Sequence, residues 1–235
     1  MNMRTFFNWS TGKDSALALW HLMQSPYHEV GHLLTTLNAH HDRVTMHGLR
    51  RSLYHAQVKA LALPHSTVEL PEMPDMSTYE NRMHSALKPL LEQGYTHAGF
   101  GDIFLEDLKQ YRDENLKKIG LTGVYPIWKR DTKELAQEFI DRGFKAVIVT
   151  CKAELMGEEF VGREFDSDFL ADLPEAVDPC GENGEFHTFC YAGPIFNQSV
   201  PFTRGEKVLR TYPAPKTEDG EESAEVGFWY IDLLD

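Results

Sequence analysis

Cysteine is scarce in this chain. Only Cys151, Cys180 and Cys190 occur among 235 residues, an odd number without a CxxC spacing. That leaves no basis for a disulfide framework and suits a reduced, cytoplasmic setting. Long apolar runs are missing too, and the N-terminus lacks a signal-peptide pattern, so neither a membrane span nor secretion is expected. Positive charge is in short supply. Lys and Arg number 23 against 36 Asp and Glu, a net charge of −13. This argues against broad binding to a nucleic-acid backbone and leaves room only for a local basic patch. There is no internal repeat and no low-complexity segment. A Walker A loop is also absent: position 7, where its first glycine would stand, is Phe7, and Asp14 follows Lys13.

What the chain does have is ordinary globular composition, 42% hydrophobic and 25% charged, in a length that suits one large or two modest domains. Its densest chemistry lies near the start, in Ser10-Thr11-Gly12-Lys13-Asp14-Ser15. An apolar run reading as a strand, residues 3–9, precedes this stretch, and a helix over 14–24 follows. A strand, a tight polar loop and a helix together make an anion site, where free backbone N–H groups and the positive end of the helix dipole converge. Gly12 permits close approach or a positive φ. Lys13 adds a full charge, Ser10, Thr11 and Ser15 offer hydroxyls, and Asp14 can cap the helix or help hold a metal ion. The plainer alternative is a polar turn with a helix cap.

Downstream, residues 29–37 read as a strand, 38–48 as a polar loop and 51–61 as a helix. His40, His41 and His47 lie in that loop, but adjacent histidines point to opposite sides in most backbones, so a metal site is not expected there. Residues 66–70 read as a strand. Ser77 is expected to cap a helix with Glu80 in the capping box and Pro89 as a possible kink. Residues 95–100 read as a strand ending at Gly101-Asp102, and 104–119 as a helix with Phe104, Leu108, Tyr111 and Ile119 on its apolar face. Arg112 and Glu114 on that helix read as solvated or paired surface residues. Residues 120–128 look like a junction, 131–142 like a helix and 144–150 like a buried strand. Further strands are expected near 208–212 and 226–233, with a charged loop over 216–225 between them. This rhythm predicts an α/β fold with a mostly parallel, doubly wound sheet, followed by a smaller C-terminal α/β domain. In such sheets ligands bind beyond the carboxyl ends of strands, where both the Ser10–Ser15 loop and Asp102 would lie.

A second concentrated stretch runs from Asp178 to Phe189. Asn183-Gly184 signals a hairpin turn between strands. Glu182 and Glu185 flank it, with Asp178 and His187 near. Clustered acids can bind an amine, hold a metal or take a proton. Cys180, His187 and Cys190 are too irregularly spaced to predict zinc.

Taken together, these stretches resemble the diphthine–ammonia ligase family of N-type ATP pyrophosphatases. The motifs run in order: STGKDS at 10–15, MHG at 46–48, GDI at 101–103, YRxEN at 111–115, GL and PIW within 120–128, and GENGEFHTF at 181–189. Thr11 stands where the family's SGGxDS loop usually has its second glycine. Asn183 stands where a glycine is usual, a departure that resembles the bacterial branch. The resemblance implies an ATP-binding unit over 1–128 and an acceptor-handling unit over 129–235, with the active site between them. It implies a ligase that adenylates a small or protein-borne carboxylate with ATP and Mg²⁺, then joins it to ammonia or an amine. In that scheme Ser10–Ser15, Gly101 and Asp102 hold the nucleotide, Asp14 and Asp102 the metal, and Lys13, Glu182 and Glu185 act in catalysis. The alternatives are another adenylating enzyme of the same superfamily, such as a tRNA-modifying one, and a nucleotide-binding sensor without turnover.

Overall fold

Phe6 and Phe7 are both buried although they face opposite sides of one strand, β1 (Met3–Asn8). A strand covered on both faces belongs in the middle of a sheet. In the computed structural model, which describes residues 2–45, 48–213 and 225–235, β1 pairs in parallel with β2 (His28–Asn38) on one side and with β5 (His97–Gly99) on the other. β4 (His65–Leu70) extends the sheet beyond β2, and β6 (Thr122–Val124) extends it beyond β5, both in parallel. The short β3 (Arg43–Val44) adds antiparallel at the end of β2. The chain therefore grows outward from β1 in one direction and then returns to grow in the other. The carboxyl ends of β1 and β5 flank this reversal, the place where open α/β sheets bind ligands.

The crossovers are α1 (Lys13–Gln24), α2 (Arg51–Leu61), α3 (Met76–Glu92) and α4 (Glu106–Lys118). α1 buries Ala16, Leu17, Leu19 and Leu22, an apolar stripe at helical spacing. A second, antiparallel sheet is ordered β8–β7–β10–β9, from β7 (Lys145–Lys152), β8 (Phe186–Ala192), β9 (Thr203–Pro213) and β10 (Glu225–Leu234). The helices α5 (Thr132–Asp141) and α6 (Ser167–Asp172) accompany it. The α/β reading of the sequence holds. One core cluster of buried side chains runs from Phe7 and Trp9 through Leu135 and Phe139 to Phe189 and Cys190, so the two sheets share a hydrophobic interior.

Several local expectations need correction. Asp75, not Ser77, caps α3: its carboxylate accepts from Thr78 N at 2.7 Å. The helix runs through Pro89 to Glu92. Leu108 is among the exposed apolar side chains, so it does not belong to the buried face of α4. The 120–128 junction contains β6. Asn183-Gly184 is not a hairpin between two strands. Gly184 N donates to Gly181 O at 3.1 Å within an irregular loop that leads into β8. His40 and His41 do not diverge, because both rings turn toward Glu72. Met46, His47 and the charged stretch 216–224 lie outside the described residues.

Candidate functional site

The Ser10–Ser15 loop is held by two elements, α2 and β8. Thr11 O accepts from Cys190 N at 2.9 Å and from Gln57 Nε2 at 3.0 Å, and Lys13 N donates to Thr188 Oγ1 at 3.0 Å. Thr11 takes φ +77°, a left-handed conformation that a β-branched residue rarely adopts. It thus carries the backbone angle that a glycine would take without strain. Gly12 is extended at φ −91° and precedes α1 without any side-chain cap hydrogen bond. Asp14 is not the helix cap but lies in the first turn of α1. The Thr11 hydroxyl is buried without a partner and does not reach the cavity. Ser10 and Ser15 do reach it, with their hydroxyls 2.7 Å apart.

Gly101 follows β5 and sits against the start of α1. A Cβ there would meet Ser15 N at 2.9 Å and Asp14 C at 3.1 Å. These are backbone atoms that cannot turn aside, so only glycine lets the two loops approach this closely. The approach brings Asp102 and Asp14 to one cavity of about 760 Å³ that also takes in Lys13, Ser15, Gly101 and Glu182. This size suits a single small-molecule site.

The second stretch reaches the same place. Glu182 Oε1 accepts from Ile103 N at 2.8 Å, which puts the residue beside Asp102 in direct contact with the 178–189 segment. Burial, with the negative charge of Asp14, pushes the Glu182 carboxyl up to about 7, against the pull of Lys13 and the backbone N–H donors. Burial also raises Asp102; Arg112 opposes this, while the charge of Asp14 adds to it. Lys13 is 3% exposed. Its ammonium donates to Asp14 Oδ1 at 2.7 Å and to Cys180 O, and it lies over the rings of Phe165 and Phe186. Burial works against its charge, but Asp14, Cys180 and Glu182 keep it firmly protonated.

Glu185 is placed differently. It is 4% exposed, does not line the cavity, and accepts from Asp178 N, Asn183 N and Asn183 Nδ2 at 2.9–3.1 Å. Its carboxylate organises the loop that presents Glu182. Arg112, read from sequence as a surface residue, lines the cavity, pairs with Asp102 and lies 4.7 Å over Phe100. Tyr111 and Asn115 join it there. The YRxEN spacing is the signal for this trio, since positions i, i+1 and i+4 fall within an arc of about 100° on a helix and can present to one side. Thr188 falls within the GENGEFHTF stretch, though nothing there marks its hydroxyl as the acceptor for Lys13 N, and Gln57 lies in none of the motifs. Cys180 and Cys190 are buried, and their thiols reach the carbonyls of Thr132 and Ala192 rather than a shared metal position.

Family comparison fits this geometry. The family model described as diphthamide synthase N-terminal domain matches residues 3–123, more than half of the chain, and the diphthamide synthase C-terminal domain matches 131–212. The chain belongs to the diphthamide synthase family. Among individual members, diphthine–ammonia ligase of Bos taurus is 29% identical over 116 residues, 47% of this chain and 43% of that protein. The same-named protein of Danio rerio is 25% identical over 138 residues, 55% of this chain and 53% of that protein. The chain thus matches about half the length of these relatives. A solved structure, the U34-tRNA thiolase NcsA from Methanococcus maripaludis with its 4Fe-4S cluster, superposes over 60% of this chain and 57% of its own. Its identity is 16% and its TM-score 0.38, too remote to bear on the site. No helix among the described residues is long and apolar enough to cross a membrane.

Proposed function

We propose that this member of the family is an ATP-dependent ligase that activates a carboxylate as its adenylate and converts it to an amide with ammonia or an amine. The supporting observation is the convergence on one cavity of an open helix N-terminus, Lys13, two aspartates and Glu182. In this reading residues 1–128 bind the nucleotide and 129–235 supply the acceptor side. The phosphates of ATP lie over the first turn of α1, where backbone N–H groups, Ser10, Ser15 and Lys13 meet them. Mg²⁺ commonly uses one or two carboxylates together with phosphate oxygens. Asp14 and Asp102 both line the cavity and fit that requirement. The ion would neutralise charge on the departing pyrophosphate.

The acceptor carboxylate oxygen attacks the α-phosphorus, and the bond from that phosphorus to the bridging oxygen breaks. Pyrophosphate leaves with the electron pair. The nitrogen donor then attacks the acyl carbon, and the carbon–oxygen bond to AMP breaks. Glu182, with its carboxyl raised to about 7, takes the proton lost by the attacking nitrogen. A base poised near neutral pH suits that task. Lys13 serves twice: its charge faces the phosphates, and its grip on Cys180 O ties the nucleotide loop to the segment bearing Glu182. Glu185 positions that segment without touching the reactants. Asn183, the departure from the glycine usual in the family, donates its amide to Glu185 at 3.0 Å and so belongs to the same support.

The test is a metabolite extract incubated with enzyme, ATP and ammonium and followed by mass spectrometry. An ATP-dependent mass gain matching amidation, absent with Glu182→Gln, supports the proposal. ATP consumption without any amidated product in the extract or in added protein acceptors counts against it.

A further inference from the structure

At the far end of β2, the loop carrying His40 and His41 meets Glu72, which follows β4. His41 Nε2 lies 3.0 Å from Glu72 Oε1, and His40 Nε2 lies 3.8 Å from Glu72 Oε2. The three ligand atoms fall within 4.8 Å of one another, the one such group of histidine, cysteine and acidic residues among the described residues. We infer that His40, His41 and Glu72 form a binding site for a transition-metal dication of the zinc or copper type, separate from the nucleotide cavity.

Three observations carry this. Two neutral imidazoles and one carboxylate are a donor set that suits zinc or copper, with a further position left open. Magnesium prefers oxygen ligands and is not served by it. In a tetrahedral zinc site with bonds near 2.1 Å the ligand atoms stand about 3.4 Å apart. The present spacing brackets that value, and the side chains are exposed enough to close the remainder by rotation.

The loop is also prearranged. Asn38 Oδ1 accepts from both His40 N and His41 N at 3.0 Å, which fixes the two backbone positions that bring the neighbouring imidazoles to one side. Ala39 N donates to Leu70 O at 2.8 Å, fastening the loop to the end of β4 two residues before Glu72. The rings stand edge to face with centroids 4.8 Å apart. A metal held here would clamp the β2–β3 loop to the β4–α3 connection. The elements that continue from both, β3 and α3, contribute Val44 and Tyr79 to the cavity wall.

The experiment uses the full chain, stripped of metal with a chelator, and zinc chloride alone as the probe in a calorimetric titration, with magnesium chloride as comparator. One equivalent of zinc should bind, and magnesium should not displace it. His41→Ala and Glu72→Gln should each weaken zinc binding at least tenfold. His28→Ala, in a different close imidazole pair with His97, should leave it in place. Because all three proposed ligands are exposed, melting without metal should be the same in wild type and variants, while zinc should raise the melting temperature of wild type only. Copper(II) added at one equivalent should give a paramagnetic resonance spectrum with two-nitrogen coupling that the His40→Ala/His41→Ala double variant lacks. Absence of a saturable zinc equivalent, or the same equivalent surviving in the double variant, overturns the inference.

Discussion

Thr11 invites a substitution whose sign runs against the general tendency of substitutions to destabilise. It holds φ +77°, and its buried hydroxyl has no partner. Holding an L-residue in the left-handed region costs about 1–2 kcal/mol. Burying an unmatched hydroxyl costs a further ~1–3 kcal/mol. Thr11→Gly removes both. Against this, glycine frees the unfolded chain by about 0.5–1 kcal/mol, and two buried carbons, Cβ and Cγ2, are lost at about 0.8 kcal/mol each. The balance centres on a stabilisation of about 1 kcal/mol, or roughly 2–4 °C in melting temperature for a chain of this size. Thr11→Ala keeps the Cβ in the left-handed region but removes the unmatched hydroxyl at the loss of one methyl, so it too should be more stable than wild type. Urea denaturation of all three proteins measures the order directly. ATP affinity should change little, because the side chain does not reach the cavity. A glycine variant less stable than wild type would refute the reasoning, since it would require a bonded hydroxyl or an unstrained backbone at Thr11.

The other predictions are shorter. Glu182 has a folded-state pKa near 7, above its ordinary 4.5, so the folded protein holds a proton that the unfolded chain releases. Its contribution is full below about 4.5 and is lost as pH rises through about 7; Glu182→Gln should therefore match wild type at pH 4.5 in urea denaturation and exceed it at pH 8, while amide formation collapses. Lys13→Ala should weaken ATP binding by at least about tenfold, since a charge-assisted hydrogen bond contributes ~1.5–3 kcal/mol; unchanged affinity in calorimetry would remove Lys13 from the phosphate site. Glu185→Ala removes the buried acceptor of the part-buried donors Asp178 N and Asn183 N and should cost about 1–3 kcal/mol of stability. Glu185→Gln should be milder and should lower turnover only as far as it loosens the loop, with ATP affinity intact.

How much of this was legible beforehand differs by element. β1, α1, α2 and β7 announce themselves by apolar runs of clear period, and α2 falls on 51–61 as the pattern predicts. The cap at Asp75 was missed because Ser77 and Glu80 imitate a capping box, while the decisive bond, from Thr78 N to Asp75, is a matter of where the chain turns. Asn183-Gly184 imitates a hairpin because the same pair suits any tight turn; only strand pairing, absent on its N-terminal side, decides. Glu182 and Glu185 look alike in sequence. Their separation into a cavity acid and a loop support rests on three hydrogen bonds made by local backbone and Asn183. The contact of Glu182 with Ile103 joins residues far apart in the chain, and no pattern at either end specifies it. His40 and His41 converge because Asn38 holds the turn, a detail that adjacency alone does not reveal.

The central claim is adenylation, and the most direct measurement is the exchange of labelled pyrophosphate into ATP, with the reaction mixture resolved into AMP, ADP, pyrophosphate and phosphate. With the enzyme, Mg²⁺ and a metabolite extract as the source of acceptor, the account predicts label entering ATP, together with AMP and pyrophosphate as products. It further predicts loss of both signals in Lys13→Ala, and retention of the exchange in Glu182→Gln because that residue acts after the adenylate forms. ADP and phosphate as the sole products, with no exchange, would contradict it.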